Sequence, residues 1–260
     1  MIITKNINLI IRLFILFFLC LFFFFSSHML IILLILPLVG ILFLCLISQE
    51  NTSLLKNVAL NITSFLLIFS VILWLRFDNS IGSFQFVTCV TWIPYVNLNI
   101  PLGIDGISLF FLILTNLLIF LCLLASWESI TFNIKLYLIL FLLLQFFLIG
   151  VFCILDLLFF YIFFESVLIP MFLLIGIWGS RERKVKAAYY FFFFTLLGSV
   201  LMLLSIIYIY YQVGTTNYEI LLTFILTSEE QQLLWLAFSF FVCFESSYDS
   251  FSYLVTGSSC

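Results

Sequence analysis

One carboxyl stands where a carboxyl is expensive. Glu165 lies near the middle of LLFFYIFFESVLIPMFLLIGIW, residues 157–178, a run that is otherwise apolar. A helix rising about 1.5 Å per residue needs about 20 such residues to cross the hydrocarbon core of a bilayer, and this run supplies them. An ionisable group at that depth costs at least about 2.5 kcal/mol, so intramembrane acids usually face a partner or a wet cavity. The chemistry open to such a group is proton exchange. Desolvation favours a neutral acid and a nearby cation favours a charged one, so a cation that comes and goes can load and release a proton. The bland alternative is a protonated carboxyl tied by a hydrogen bond to a neighbouring helix, worth about 1 kcal/mol. Residue type and position leave both readings open. Pro170, five residues on, removes a backbone donor and frees the carbonyl of Ser166, which lets the backbone beside the acid bend and take up water. Asp156, nine residues earlier, falls about 13 Å nearer the membrane edge and is expected at the interface.

Few other side chains could do chemistry. Arg181-Glu182-Arg183-Lys184-Val185-Lys186 is the one charge cluster, and its expected role is to set topology. His28 has no second ligand near it in sequence, and the seven cysteines (20, 45, 89, 122, 153, 243 and 260) show no CxxC spacing. Neither a metal site nor a disulfide framework is suggested. The chain has no GxGxxG fingerprint, no iron–sulfur cysteine spacing and no flavin motif, so it is expected to bind no redox cofactor itself.

These residues must be positioned by membrane helices. Hydrophobic residues make up 66% of the chain and charged residues only 8%, against about 25% charged in an average soluble domain. The apolar runs are far longer than the alternating strands of an outer-membrane barrel, which predicts an all-α, polytopic transmembrane helix bundle. Spans are expected at about 8–25, 29–48, 58–75, 107–126, 136–154, 157–178 and 188–211. The first contains Arg12 and follows Lys5, in the manner of a signal-like or anchor segment, and Met29 offers an internal start. Residues 1–28 are therefore set apart as an extra N-terminal segment of doubtful nativeness. Between the third and fourth spans, period-two alternation around Phe84–Thr88 and the turn residues Pro94, Pro101, Gly103 and Gly106 predict an interfacial hairpin. Strict alternation of the spans puts Lys56, Lys135, Arg181, Arg183, Lys184 and Lys186 on one side and Arg76 on the other. By the positive-inside rule the cluster marks the matrix or cytoplasmic face and the hairpin the opposite one. Thirty-six phenylalanines, some in runs such as 22–25 and 191–194, suggest a T-rich genome and favour an organelle gene.

Four segments together resemble a known family: PLGIDGISLFF (101–111), LDLLFFYIFFESVLIPM (155–171), WGSRERKVKAAYYFFFFTLLGSV (178–200) and GTTNYEILL (214–222). In order and spacing, from about Asn57 to Phe238, they resemble the chain 4 family of mitochondrial NADH:ubiquinone oxidoreductase, respiratory complex I, of the plant and algal type. The resemblance implies an antiporter-like, proton-translocating subunit in the inner mitochondrial membrane. Its expected partners are the other membrane-arm subunits and the lipid bilayer, with no nucleic acid. NADH, flavin, iron–sulfur clusters and ubiquinone belong to the parent complex. Glu165 matches the family's functional acid, whose partner there is a lysine on a broken seventh helix. Arg181, Arg183 and Lys184 match its basic loop. A cation/proton antiporter subunit and a structural membrane-arm subunit without a transport role are the alternatives.

The resemblance breaks off after Leu234-Trp235-Leu236-Ala237-Phe238. Where the family continues into the lysine helix, this chain reads FESSYDSFSYLVTGSSC, residues 244–260. Back-translated with suitable synonymous codons and read one base later, that string gives LKVPMIPFHIWLPEAH, the family's motif. The expectation is a frame slip between about Ser239 and Phe244, with 29–243 the antiporter-like N-terminal region of a longer parent and 244–260 an out-of-frame tail. On that reading the printed chain is truncated. It holds the acid without its cation and does not pump protons by itself.

Overall fold

A computed structural model describes residues 29–93, 98–179, 184–225 and 227–257. The expected first span at 8–25, His28, Arg181 and Arg183 lie outside the described residues. Eight helices and one hairpin follow in order: α1 (Met29–Leu46), α2 (Thr52–Arg76), β1 (Gln85–Ile93), β2 (Leu98–Ile104), α3 (Gly106–Ala125), α4 (Ile134–Cys153), α5 (Leu157–Trp178), α6 (Lys184–Val213), α7 (Tyr218–Thr223) and α8 (Ser228–Gly257). Six of them, α1 to α6, are long and apolar enough to cross a membrane. The bundle of membrane-length helices expected from the sequence is what forms, with α5 bounded at the two residues that bound the apolar run.

Helices α1 to α4 build the core. Leu30, Leu33, Leu44, Leu55, Ile62, Leu66, Leu73, Leu112 and Leu142 are fully buried in one cluster. Helix α5 packs on α4 and α6, and α6 packs on α8. The contact between α4 and α5 is close because Gly150 has no side chain: a Cβ built there would come within 2.1 Å of Cδ1 of Phe163. The Phe163 ring instead meets Phe146 at 5.5 Å and Phe147 at 6.2 Å, an aromatic wall between the two helices. In the membrane, where lipid is as apolar as the core, small residues that let helices approach are what makes such packing possible.

At one end of the bundle Lys56, Lys135 and Lys184, three of the four described lysines of the expected positive face, bond to carbonyls at or just beyond helix ends. Lys135 Nζ donates to the carbonyls of Cys45 and Ile47, each at 2.8 Å, at the end of α1. Lys56 donates to the carbonyls of Trp127 and Ile130 beyond α3, with its ammonium 5.7 Å from the Trp127 ring centroid. Lys184 donates to the carbonyl of Ile177 at 2.6 Å, at the end of α5. The last carbonyls of a helix lack intrahelical partners and carry its negative pole, so cations there are favourable. These lysines cap helices as well as marking a face.

The opposite end carries the hairpin, an antiparallel pair running from Gln85↔Ile104 to Ile93↔Leu98. Asp105 caps α3: its Oδ1 accepts from Gly106 N at 2.7 Å, while Ser108 Oγ bonds back to Asp105 N at 2.8 Å. In the turn before β1, Asp78 accepts from both the amide and the hydroxyl of Ser80, which holds its carboxyl below the usual carboxylate range. Exchange of Gly150 for alanine is expected to cost about 1–3 kcal/mol through overpacking against Phe163. It should lower the melting temperature of the purified protein in detergent, and G150A/F163L should recover most of the loss.

Candidate functional site

Helix α5 starts from a cap of unusual thoroughness. Asp156 is 5% exposed, and its Oδ1 accepts from Leu158 N at 2.9 Å and Phe159 N at 3.1 Å. Two of the first backbone donors of the helix are thereby satisfied, which an aspartate at this position does well. Its other oxygen, Oδ2, accepts from Thr216 Oγ1 at 2.6 Å. Asp156 stands at the mouth of its span, and there it is buried rather than solvated, because the corner between α6 and α7 folds over it. Leu157 N donates to the Thr216 carbonyl at 3.0 Å, Tyr218 N to the Leu155 carbonyl at 2.9 Å, and Leu155 N to the Pro101 carbonyl of β2 at 2.9 Å.

From that cap α5 runs to Glu165, nine residues on, or about 13 Å deeper. Glu165 is half-buried, and its Oε1 is fully buried with no hydrogen-bond partner. Tyr161, one turn earlier on α5, and Ser199 of α6 adjoin the carboxyl. Ser199 Oγ bonds to the Leu196 carbonyl of its own helix at 2.9 Å, and its rotatable hydroxyl can also serve the carboxyl. Among the described residues no cation acts on Glu165. Beside it, Phe164 meets Phe241 of α8 edge-on at 5.4 Å. Helix α8 thus reaches the level of the acid just where the sequence leaves the family pattern.

Helix α5 is also the least covered of the spans: 17% of it is buried inside the structure, against 50% of α4. Pro170 is buried and the helix passes through it without a break in its assignment. The hydroxyl of Ser166, whose carbonyl Pro170 leaves without its usual donor, bonds to the Ile162 carbonyl at 2.7 Å.

Sequence reasoning passed over a second polar pair. Asn116 of α3 and Gln145 of α4 are both 0% exposed, and Gln145 Nε2 donates to Asn116 Oδ1 at 2.8 Å. Asn116 Nδ2 and Gln145 Oε1 are buried without partners. Each amide stands alone in an apolar run, which was the available signal; that the two meet depends on helix packing.

A family described as "NADH:quinone oxidoreductase/Mrp antiporter, TM" matches residues 154–247, a stretch that holds Asp156, Glu165 and Thr216. The chain is 52% identical over 202 residues to NADH-ubiquinone oxidoreductase chain 4 of Chondrus crispus, and 50% identical over 202 residues to that of Arabidopsis thaliana. Each alignment covers 78% of this chain, and the chain spans 41% of the length of each relative. Among solved structures, a chain of respiratory complex I from Thermus thermophilus with bound NADH superposes with a TM-score of 0.70 at 26% identity, over 82% of this chain and 43% of that one. A chain of the archaeal membrane-bound sulfane sulfur reductase has the same fold, at a TM-score of 0.69.

Removing one amide of the buried pair strands the other. N116L or Q145L alone is expected to destabilise by about 1–3 kcal/mol, whereas N116L/Q145L should cost less than the sum of the two. A double-mutant cycle on thermal stability in detergent checks this.

Proposed function

We propose that this chain, a homologue of NADH-ubiquinone oxidoreductase chain 4 that carries the transmembrane domain of the NADH:quinone oxidoreductase/Mrp antiporter family, is the front part of a proton-translocating membrane subunit. The parent complex would couple electron transfer from NADH to ubiquinone with proton transfer across the inner mitochondrial membrane. Its flavin and iron–sulfur chemistry belongs to other subunits, which are also this chain's partners along with lipid.

The observation that carries this reading is the state of Glu165. It is a mid-span carboxyl with one buried oxygen unpartnered, beside the hydroxyls of Tyr161 and Ser199. A purely structural carboxyl would have both oxygens engaged, as Asp156 has. The missing half of a proton-transfer pair is a cation that can approach and withdraw. In the shifted frame a lysine codon overlaps those of Glu245 and Ser246, one helical turn beyond Phe241. Phe241 is the α8 residue that touches Phe164, next to the acid, so a helix continued in that frame would bring a lysine alongside Glu165. The family match stops at residue 247, four residues into the tail, in keeping with a frame slip between Ser239 and Phe244.

The family description also names Mrp antiporters, which supports a second reading as a cation/proton antiporter subunit. The same acid would serve, and the driving reaction would differ. Inhibition by rotenone of NADH oxidation in membranes that carry the protein separates the two.

Two measurements test the proposal. With the frame restored and the complex assembled, Glu165→Gln is expected to lower the protons moved per NADH oxidised while leaving assembly intact; unchanged pumping would reject a transport role for this carboxyl. Sequencing the transcript from Trp235 onward is expected to show a one-base discontinuity before Phe244, and a tail peptide found by mass spectrometry in a single uninterrupted frame would sink the frame-slip reading.

A further inference from the structure

We infer that Asp156 and Thr216 together are the positioning clasp of Glu165. The inference rests on the proton-transfer reading of that carboxyl and adds a device that sets where it stands. The two oxygens of Asp156 do different work. Oδ1 closes the first turn of α5 through Leu158 N and Phe159 N, and Oδ2 receives the hydroxyl of Thr216 across 60 residues of sequence. The Thr216 carbonyl completes the loop by accepting Leu157 N. One side chain therefore fixes both the start of α5 and the corner that ends α6, the two helices that bring Glu165 and Ser199 together.

Helix geometry makes this end-fixing matter at depth. A helix turns about 100° and advances about 1.5 Å per residue, so a one-residue slip at the cap swings every side chain below it by a quarter turn or more. Nine residues down, such a slip would turn Glu165 away from Ser199. Packing on α4 and α6 holds α5 along its length, and the clasp fixes its start. On the α4 side the Phe163 ring seats against Gly150 between Phe146 and Phe147, a second contact that depends on where the helix starts.

The corner itself is held by independent bonds. Asn217 caps α7 by accepting from Glu219 N at 3.1 Å, and Tyr218 N reaches the Leu155 carbonyl at 2.9 Å. Loss of the Thr216 hydroxyl should therefore leave the corner folded and loosen only its grip on Asp156.

The test uses the frame-restored subunit in the assembled complex, in sealed membrane vesicles, with protons moved per NADH oxidised as the readout. Asp156→Ala removes the cap as well and is expected to impair assembly, so the informative variant is T216V, which keeps shape and deletes one hydrogen bond. T216V is expected to lower the Glu165-dependent share of proton transfer by about five-fold at normal assembly. T216S should restore it. T216V/E165Q should pump no worse than E165Q alone, because the clasp acts through the acid. The inference is overturned if T216V assembles and pumps normally, if it blocks assembly, if T216S fails to rescue, or if the double variant is worse than E165Q. An E165Q that pumps normally would instead bring down the proton-transfer reading, and this inference with it.

Discussion

Every polar group placed in a hydrocarbon slab must find a partner inside the protein, and that single requirement sorts this chain's polar residues. Each backbone donor or acceptor left bare in lipid costs several kcal/mol. Hydroxyls within the spans comply by bonding to their own helix: Thr63 to the Ala59 carbonyl, Thr195 to Phe191, Ser205 to Leu201. Lysines at one end take the terminal carbonyls of α1 and α5, and Asp156 takes the first amides of α5 at the other. Against that background the exceptions carry information. Within the described parts of the spans the buried unpartnered side-chain atoms are Asn116 Nδ2, Gln145 Oε1 and Glu165 Oε1; Thr88 and Thr215 add one each in the hairpin and the α6–α7 corner.

The two mid-span exceptions differ in kind. Asn116 and Gln145 are neutral, bonded to each other, and enclosed by the α1–α4 core, where an amide pair fixes how two helices meet. Glu165 sits on the least covered helix, where its ionisation state can change if a charge comes near. An amide pair holds one arrangement, whereas a carboxyl with an open oxygen has two states to choose between. The glue reading suits the amide pair, and the surroundings of Glu165 are what support the proton-transfer role proposed for it.

How much of this was legible in the sequence follows from how far apart the interacting residues lie. The bounds of α5 could be read because its apolar run is contiguous, residues 157–178. The start of α6 could not: Lys184 and Lys186 read as loop, yet they occupy the first turn of a helix that begins at Lys184. Long basic side chains can lie along a helix while their charges reach outward or cap a neighbour, as Lys184 does. The hairpin was visible as a period of two. The partner of Gln145 is 29 residues away and that of Asp156 is 60 away, and no local pattern links either pair.

The same separation explains why the burial of Asp156 has no local signal in the sequence. Depth along a helix can be counted from sequence, and by that count an acid at the mouth of a span is solvated. What the count omits is the α6–α7 corner, which returns to this end of the bundle and covers the carboxyl with Thr216 and two backbone bonds. A carboxylate so enclosed is stabilised by three donors to its two oxygens, and the helix it caps is thereby indexed to its neighbour. Glu165 derives its position from that index, so the acid with both oxygens satisfied is a condition for the usefulness of the acid with one oxygen free.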